Sequence, residues 1–444
     1  MRYLYIDNIR GFTDTYIPIK DVNFLVGENS TGKTTILEII KLLSDPMFWS
    51  NQNFGNIEGL RFRGYQSIVN INSQDKSYFR IGMIENYEEV EDKQSKQDSV
   101  FLLTFSNRDE MPVISEYCYL SRGYEIKIII QESGIMYKFL PVVQMSNTNI
   151  YQIFEDWTNC KVGNSEGYKE IKNQSLHRYP FTFTTVLITE IVEREFLKKE
   201  QTNYESAIKE ITDFPKFARN SLVWFAPIRS KPRRTYDEYN TSFSPEGDHI
   251  PYLLRQILSE KNEPLSSGFL KILNSFGKDS GLFDSIGIKE FGKELTSPFE
   301  VNIVINDKPI AISEVGYGVP QALPIAVEAI KIPGGSWYAI QQPEIHLHPR
   351  AQAALGELFY IVAVMEKKRF FIETHSDYII DRFRMCYQKN EQKNIDSQVL
   401  FFEKTPTGNK VYPIEIEKTG EYSEDQPSTF REFFINEALA LLGV

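Results

Sequence analysis

Gly27-Glu28-Asn29-Ser30-Thr31-Gly32-Lys33-Thr34 fits the pattern G-x-x-x-x-G-K-[ST] and stands between two segments of opposite habit. Before it, Val22-Asn23-Phe24-Leu25-Val26 is a short apolar run that reads as a buried strand. After it, Thr35-Ile36-Leu37-Glu38-Ile39-Ile40-Lys41-Leu42-Leu43 repeats its apolar residues at helical spacing. Strand, glycine turn and helix are the context in which this pattern cradles phosphates. The glycines let backbone N–H groups curl around phosphate oxygens, and the helix N-terminus adds partial positive charge. Lys33 would reach the β- and γ-phosphates, and the Thr34 hydroxyl would hold Mg²⁺. Glu28, Asn29, Ser30, Thr31 and Thr35 complete the expected lining.

A chain of 444 residues can bury two or three domains' worth of core. Its net charge of -11 argues against a uniformly basic nucleic-acid coat, though not against a local basic patch. Cys118, Cys160 and Cys386 are far apart with no C-x-x-C spacing, so they read as reduced core thiols. No window holds the ~18 consecutive apolar residues of a membrane span. The first residues, Met1-Arg2-Tyr3-Leu4-Tyr5-Ile6, contain no long apolar leader core. No membrane contact and a cytoplasmic location are expected.

Residues 60–145 hold alternating runs such as Tyr78–Ile84 and Tyr124–Ile130, which predict antiparallel strands, with a solvated loop over 86–98. Thr185–Ile211 carries helical spacing and many charges, which predicts a helical insertion or short arm. Further on, Ser336–Ile340 and Arg369–Thr374 read as strands around a helix from Arg350 to Met365, and a closing helix is expected near 430–442. The domains expected are 1–149 (a lobe with the phosphate loop and antiparallel strands), 150–220 (the insertion) and 221–444 (a second lobe).

Two late segments narrow the class. Pro343-Glu344-Ile345-His346-Leu347-His348-Pro349 follows one apolar strand, and Glu373-Thr374-His375-Ser376-Asp377 ends another. With the phosphate loop, they make the chain resemble the ATP-binding-cassette heads of the SMC and OLD (overcoming lysogenization defect) type, over roughly 1–85 and 220–444. Septu-type antiphage ATPases are the nearest members. The resemblance implies an α/β fold: a P-loop ABC-type ATPase head with an antiparallel β subdomain and an inserted helical arm. It implies ATP and Mg²⁺ as cofactors. It puts His375 where the γ-phosphate is sensed. It makes Ile312–Gln321 the signature segment that caps the ATP of the other subunit in a head-to-tail dimer, through Ser313, Gly316, Gly318 and Gln321. Pro320 stands where related chains often carry Ser, which leaves Ser313 to supply the hydroxyl. Arg10 matches an Arg near the nucleotide, and Gln66 a Gln that links Mg²⁺ to the accessory lobe. His346 and His348, spaced i, i+2 in a Pro-bounded turn, read as structural rather than as a metal pair.

The largest departure is Gln341-Gln342. The family carries two acids here, or an acid then Gln; the first supports Mg²⁺ through water and the second polarises the attacking water. A glutamine keeps the shape but is neutral and accepts no proton at pH 7. General-base help is worth about 10²–10⁴-fold in rate. ATP binding with slow or absent hydrolysis is therefore expected, with Glu344 the nearest carboxylate able to substitute.

Arg229, Lys231, Arg233 and Arg234 form the densest basic cluster. They read equally as a solvated loop and as a contact for nucleotide, a partner subunit, DNA or tRNA. The stretch after His375 has no Asp-x-Asp pair, so no nuclease is expected in this chain. The resemblance implies a separate HNH or TOPRIM nuclease subunit in antiphage defence, and a homo-oligomer of at least two heads. The alternatives are a DNA-stimulated SMC-like ATPase of repair or recombination, and the ATPase subunit of a transporter. Against the latter stands the absence of Leu-Ser-Gly-Gly-Gln and of an acidic pair.

Overall fold

Two kinds of strand pattern in this chain build two kinds of sheet. Alternating runs suit an antiparallel sheet with one wet face, and short continuous apolar runs suit parallel strands covered on both faces. In the computed structural model, β1 (Arg2–Asp7) and β2 (Thr15–Pro18) precede β3 (Val22–Gly27), whose chain continues through the phosphate loop into α1 (Lys33–Ser44) and α2 (Pro46–Asn51). Next come β4 (Tyr78–Glu85), β5 (Ser99–Arg108), β6 (Met111–Ser121), β7 (Tyr124–Gln131) and β8 (Gly134–Pro141), then α3 (Asn147–Asn159), β9 (Lys169–Ile171) and α4 (Phe183–Leu197). The later chain gives β10 (Leu222–Phe225), α5 (Ile250–Ser259), α6 (Glu263–Ser280), β11 (Ser285–Glu290), β12 (Phe299–Ile305), β13 (Lys308–Ala311) and α7 (Gly318–Lys331). It ends with β14 (Trp337–Gln341), α8 (Pro349–Glu366), β15 (Arg369–Glu373), α9 (Asp377–Lys389), β16 (Ser397–Thr405) and β17 (Gly408–Ile416). The structure describes residues 2–51, 60, 62, 64–85, 99–121, 123–131, 134–142, 147–171, 183–197, 222–237, 240, 242–259, 263–294, 296–331, 336–389, 395–430 and 432. The expected loop at 86–98, much of the insertion beyond 197 and the closing helix lie outside them.

The chain divides into two compact units, one drawn from 1–20, 28–221 and 402–411, the other from 21–27, 222–401 and 412–444. The first unit holds an eight-stranded sheet in the order β2-β1-β4-β5-β6-β7-β8-β9, whose paired neighbours run antiparallel. Helix α3 lays Ile150, Phe154 and Trp157 against Tyr5, Ile84 and Val100 to form its core. So within 150–220 the described residues contribute most of α3, the strand β9 and the helix α4 to this unit, and α4 buries Leu187, Ile188, Ile191 and Val192. The cysteines are free thiols in three settings: Cys386 is buried, Cys118 half-buried and Cys160 exposed. The expectation of three core thiols fails at Cys160, which follows α3 at the unit's surface.

The second unit is organised by a six-stranded sheet, order β10-β14-β15-β3-β16-β17, in which β10, β14, β15 and β3 pair in parallel. One large apolar core covers it, built from these strands and from α5 to α9. Asn23 is the polar exception within β3. Its amide donates to the Phe370 carbonyl (3.1 Å) and its Oδ1 accepts from Gln398 (2.7 Å), so the buried side chain is satisfied. A smaller sheet, β11-β12-β13, lies in the same unit and leads the chain toward α7.

Helices α8 and α9 approach closely at Gly356, where an added Cβ would stand 2.1 Å from the carbonyl oxygen of Ile379. Backbone cannot yield there as a flexible side chain can. Gly356→Ala should lower the unfolding free energy by about 1–3 kcal/mol, read as a reduced midpoint in urea or thermal denaturation.

Candidate functional site

The phosphate-loop sequence takes up the backbone such a loop requires. Gly27, Ser30 and Gly32 have φ of 144°, 65° and 96°. Gly32 caps α1, and a side chain there would meet the ring of Phe12 at 2.4 Å. Glycine at 32 thus serves both the left-handed turn and a close approach. The Thr31 hydroxyl donates to the Glu28 carbonyl (2.8 Å), and Lys33 Nζ donates to the same oxygen (2.7 Å). Lys33 is only 3% exposed, while Glu28, Asn29 and Ser30 are exposed. The first turn of α1 has no side-chain cap and no acidic residue, so its N–H groups and dipole favour an anion.

Arg10 joins this region from the loop after β1. It has φ of 48° and donates through Nη1 to Thr35 Oγ1 (2.8 Å) and Glu38 (3.1 Å), and through Nε to the Ser67 carbonyl (3.2 Å). Glu38 is buried, so the pair with Arg10 is a fixed feature of α1. Arg10 therefore ties the first turns of α1 to the 3-10 turn Tyr65–Ser67 that carries the exposed Gln66.

The second unit brings the two late motifs together. Gln341 and Glu373 are paired in parallel register at the ends of β14 and β15, and the Gln341 Nε2 donates to Glu373 Oε2 (3.1 Å). Both are 7% exposed. Gln342 turns away with φ of 43°, its N–H donating to the Glu373 carbonyl (2.7 Å). Glu344 is held by both oxygens: one accepts from Thr374 Oγ1 (2.8 Å), the other from the His375 backbone N–H (2.7 Å). Thr374 also accepts from the Ser376 N–H (3.0 Å), and the Ser376 hydroxyl donates to Gln352 (2.6 Å). The Pro-Glu-x-x-Leu-His-Pro and Thr-His-Ser segments are thus bonded into one network, from which His375 is exposed. His348 caps α8, accepting from the Arg350 N–H (3.3 Å), and Pro349 occupies the first helical turn. His346 has φ of 61° and lies with its ring centroid 5.8 Å from that of Tyr317. Among the described residues no cluster of three His, Cys, Asp or Glu suits a metal.

Arg229 belongs to this strand end and not to a basic surface. It is buried, donating to the carbonyls of Gln341 (3.3 Å), Gln342 (3.4 Å) and Pro227 (3.1 Å). Burial pulls its pKa down to about 10 while the charge of Glu344 acts the other way, so it stays a cation at neutral pH. The expected contact of Arg229 with nucleic acid is therefore corrected: a guanidinium committed to three carbonyls has no face for a phosphate. Lys231, Arg233 and Arg234 are exposed.

The signature segment is split by burial. Ser313, Gly316 and Tyr317 are exposed, and Gly318 opens α7. Gln321 lies inside α7, 4% exposed, with its Oε1 buried and unpartnered. The structure therefore does not bring Gln321 to the exposed segment with Ser313 and Gly316. Sequence reasoning passed over Glu373 and the role of Arg229. The signal for Glu373 was a carboxylate ending an otherwise apolar strand; Arg229 gave none, because its neighbours in sequence are solvated.

Among the described residues no helix is long and apolar enough to cross a membrane. Among solved structures the chain is similar to an Smc head bound to the C-winged helix domain of ScpA (13% identity, TM-score 0.45, covering 94% of this chain and 98% of that one). It is also similar to the Smc head with an extended coiled coil bound to the C-terminal domain of ScpA from Pyrococcus furiosus (12%, 0.43, 99% and 100%). The SMC head domain from Thermotoga maritima follows (10%, 0.40, 94% and 100%). No curated protein matches the chain in sequence. A family match does, over residues 1–380 and so across most of the chain: it belongs to the AAA ATPase domain family.

Proposed function

We propose that this chain is an ATP-holding SMC-like head that pairs head-to-tail with a second copy and hydrolyses ATP slowly or not at all. The observation that carries the slow turnover is the strand end after β14. Its two acid slots are the amides Gln341 and Gln342, and the neighbouring Glu344 already accepts two hydrogen bonds. A carboxylate bonded to Thr374 and to a backbone N–H is occupied in holding the His375 turn. The residues for ATP are those of 27–35, with Arg10 behind them; His375 is the γ-phosphate sensor, and Ser313, Gly316 and Gly318 cap the ATP of the other copy. Magnesium would supply charge neutralisation at the phosphates, with the Thr34 hydroxyl, Gln341 and, from the accessory side, Gln66 as its donors in this reading.

Resemblance to Septu-type ATPases carries the reading further, to a nucleotide-sensing regulator or scaffold for a separate HNH or TOPRIM nuclease in antiphage defence, in the cytoplasm. The exposed Lys231, Arg233 and Arg234 favour a second reading, an SMC-like ATPase stimulated by DNA.

In titrations with a fluorescent ATP analogue, the full chain should bind and Lys33→Ala should not. Multiple turnover should stay below about 1 s⁻¹. A faster rate would overturn slow hydrolysis, and its loss in Glu344→Gln would identify Glu344 as the residue that substitutes. Glu344→Gln should in any case cost about 1.5–3 kcal/mol of stability by weakening its charged hydrogen bonds, seen in urea denaturation. Arg233→Ala/Arg234→Ala tests the second reading: loss of DNA binding or of DNA-stimulated turnover supports it, and no DNA effect on the parent chain removes it.

A further inference from the structure

We propose that Asn409, at the turn of the β16–β17 hairpin, is a further nucleotide-binding residue whose side-chain amide donates to the phosphate chain held by the loop 28–34. This rests on the ATP-binding reading above. The residues concerned lie in one compact unit, which takes in 1–20, 28–221 and 402–411. The hairpin turn is tied down from within. Thr405 Oγ1 donates to the Gly408 carbonyl (2.8 Å) and lies 3.1 Å from Thr407 Oγ1. Gly408 has φ of 136°, a conformation that favours glycine.

The turn is fastened in its place to the loop after β1. The Asn409 N–H donates to the Gly11 carbonyl (2.7 Å), and a Cβ on Gly408 would stand 2.8 Å from that same oxygen. A Cβ on Gly11 would meet the Asn409 amide, 2.5 Å from Nδ2 and 3.1 Å from Oδ1. Two glycines thus let two backbones and one amide close on each other. The contact continues to the phosphate loop, where a Cβ on Gly32 would lie 3.2 Å from the same Nδ2. Gly32 is the N-cap of α1 and precedes Lys33. The Asn409 side chain therefore stands beside the turn whose backbone N–H groups and helix dipole favour an anion.

Among the described residues the Asn409 amide has no hydrogen-bond partner, although its backbone has one and the residue is half-buried. An amide already held by packing gives up little further freedom when it bonds a ligand. Its Nδ2 carries two N–H donors and no charge, so it adds a hydrogen bond to an anion without changing the charge of the loop. Arg10, the residue before Gly11, is bonded to Thr35 and Glu38 of α1. The Arg10-Gly11 step is thus fixed to α1 on one side and to the hairpin on the other, and Asn409 brings an unused donor to that junction.

The test titrates a fluorescent ATP analogue into the full chain and its variants at low and high salt. Asn409→Ala should weaken binding by about ten- to hundredfold, the worth of one hydrogen bond to a charged group. Asn409→Asp keeps the size of the side chain but sets a carboxylate against the phosphates. It should weaken binding more than Asn409→Ala does, and the excess should shrink at high salt. Thr407→Asp adds the same charge to the exposed turn, two residues away, and should bind within about twofold of the parent. If Asn409→Ala does not fold, Asn409→Asp against Thr407→Asp decides the matter. Parent-like binding in Asn409→Ala or in Asn409→Asp overturns the role of Asn409. So does a smaller loss in Asn409→Asp than in Asn409→Ala, since packing would then account for the residue, and so does an equal loss in Thr407→Asp. Each of these leaves ATP binding standing. A parent chain that binds no analogue overturns the ATP-binding reading itself.

Discussion

The chemistry available to the second unit depends on β14, β15 and β3 ending in one parallel register. Gln341 pairs with Glu373 and Glu373 with Leu25, so an amide, a carboxylate and the approach to the phosphate loop are aligned across three neighbouring strands. A slip of one residue would turn each side chain to the opposite face. The apolar faces above and below the sheet forbid that, because both are buried. Asn23 adds a polar lock: its bonds to the Phe370 carbonyl and to Gln398 hold only in this register, and a slipped strand would leave a buried amide unpaired.

Above that register the strand end is a balance of charges. Arg229 is buried against the carbonyls of Gln341 and Gln342, and the field of Glu344 helps it stay charged. Two carboxylates, Glu344 and Glu373, already stand at this strand end. Acids at 341 and 342 would add like charges to it, and such crowding raises carboxylate pKa values. The two glutamines avoid that repulsion and keep hydrogen-bonding shape. In the proposed reading, a proton acceptor is missing at the place where water would be activated.

The phosphate loop, the antiparallel strands between 78 and 141 and the helix after Pro349 were legible in the sequence because each rests on local periodicity or on glycine chemistry. The Pro-Glu-x-x-Leu-His-Pro and Thr-His-Ser segments were legible as motifs, but their bond was not. Glu344 and Thr374 are thirty residues apart, and only the sheet register makes them neighbours. Arg229 was misread for a related reason. Four cations in a Pro-bounded run look alike in sequence, yet burial separates one from the rest. The strand Lys169–Ile171 was hidden because three residues offer too little alternation to stand out within a charged stretch.

Gly316 makes the last step. Gly318, two residues on, has a packing reason to be glycine, since an added Cβ would sit 3.1 Å from Leu282. Gly316 has none among the described residues: nothing lies within 4 Å of where its Cβ would be, and the position is exposed beside Tyr317, itself 60% exposed. Gly316 is also absent from the positive-φ glycines, so the turn itself does not require it. A glycine at such a position leaves the exposed backbone open to close approach. The exposed backbone before the N-terminus of α7 suits an anion there. In the proposed pairing with a second copy, the contact would fall on this exposed stretch, 313–318, and not on Gln321, which is buried within the packed helix.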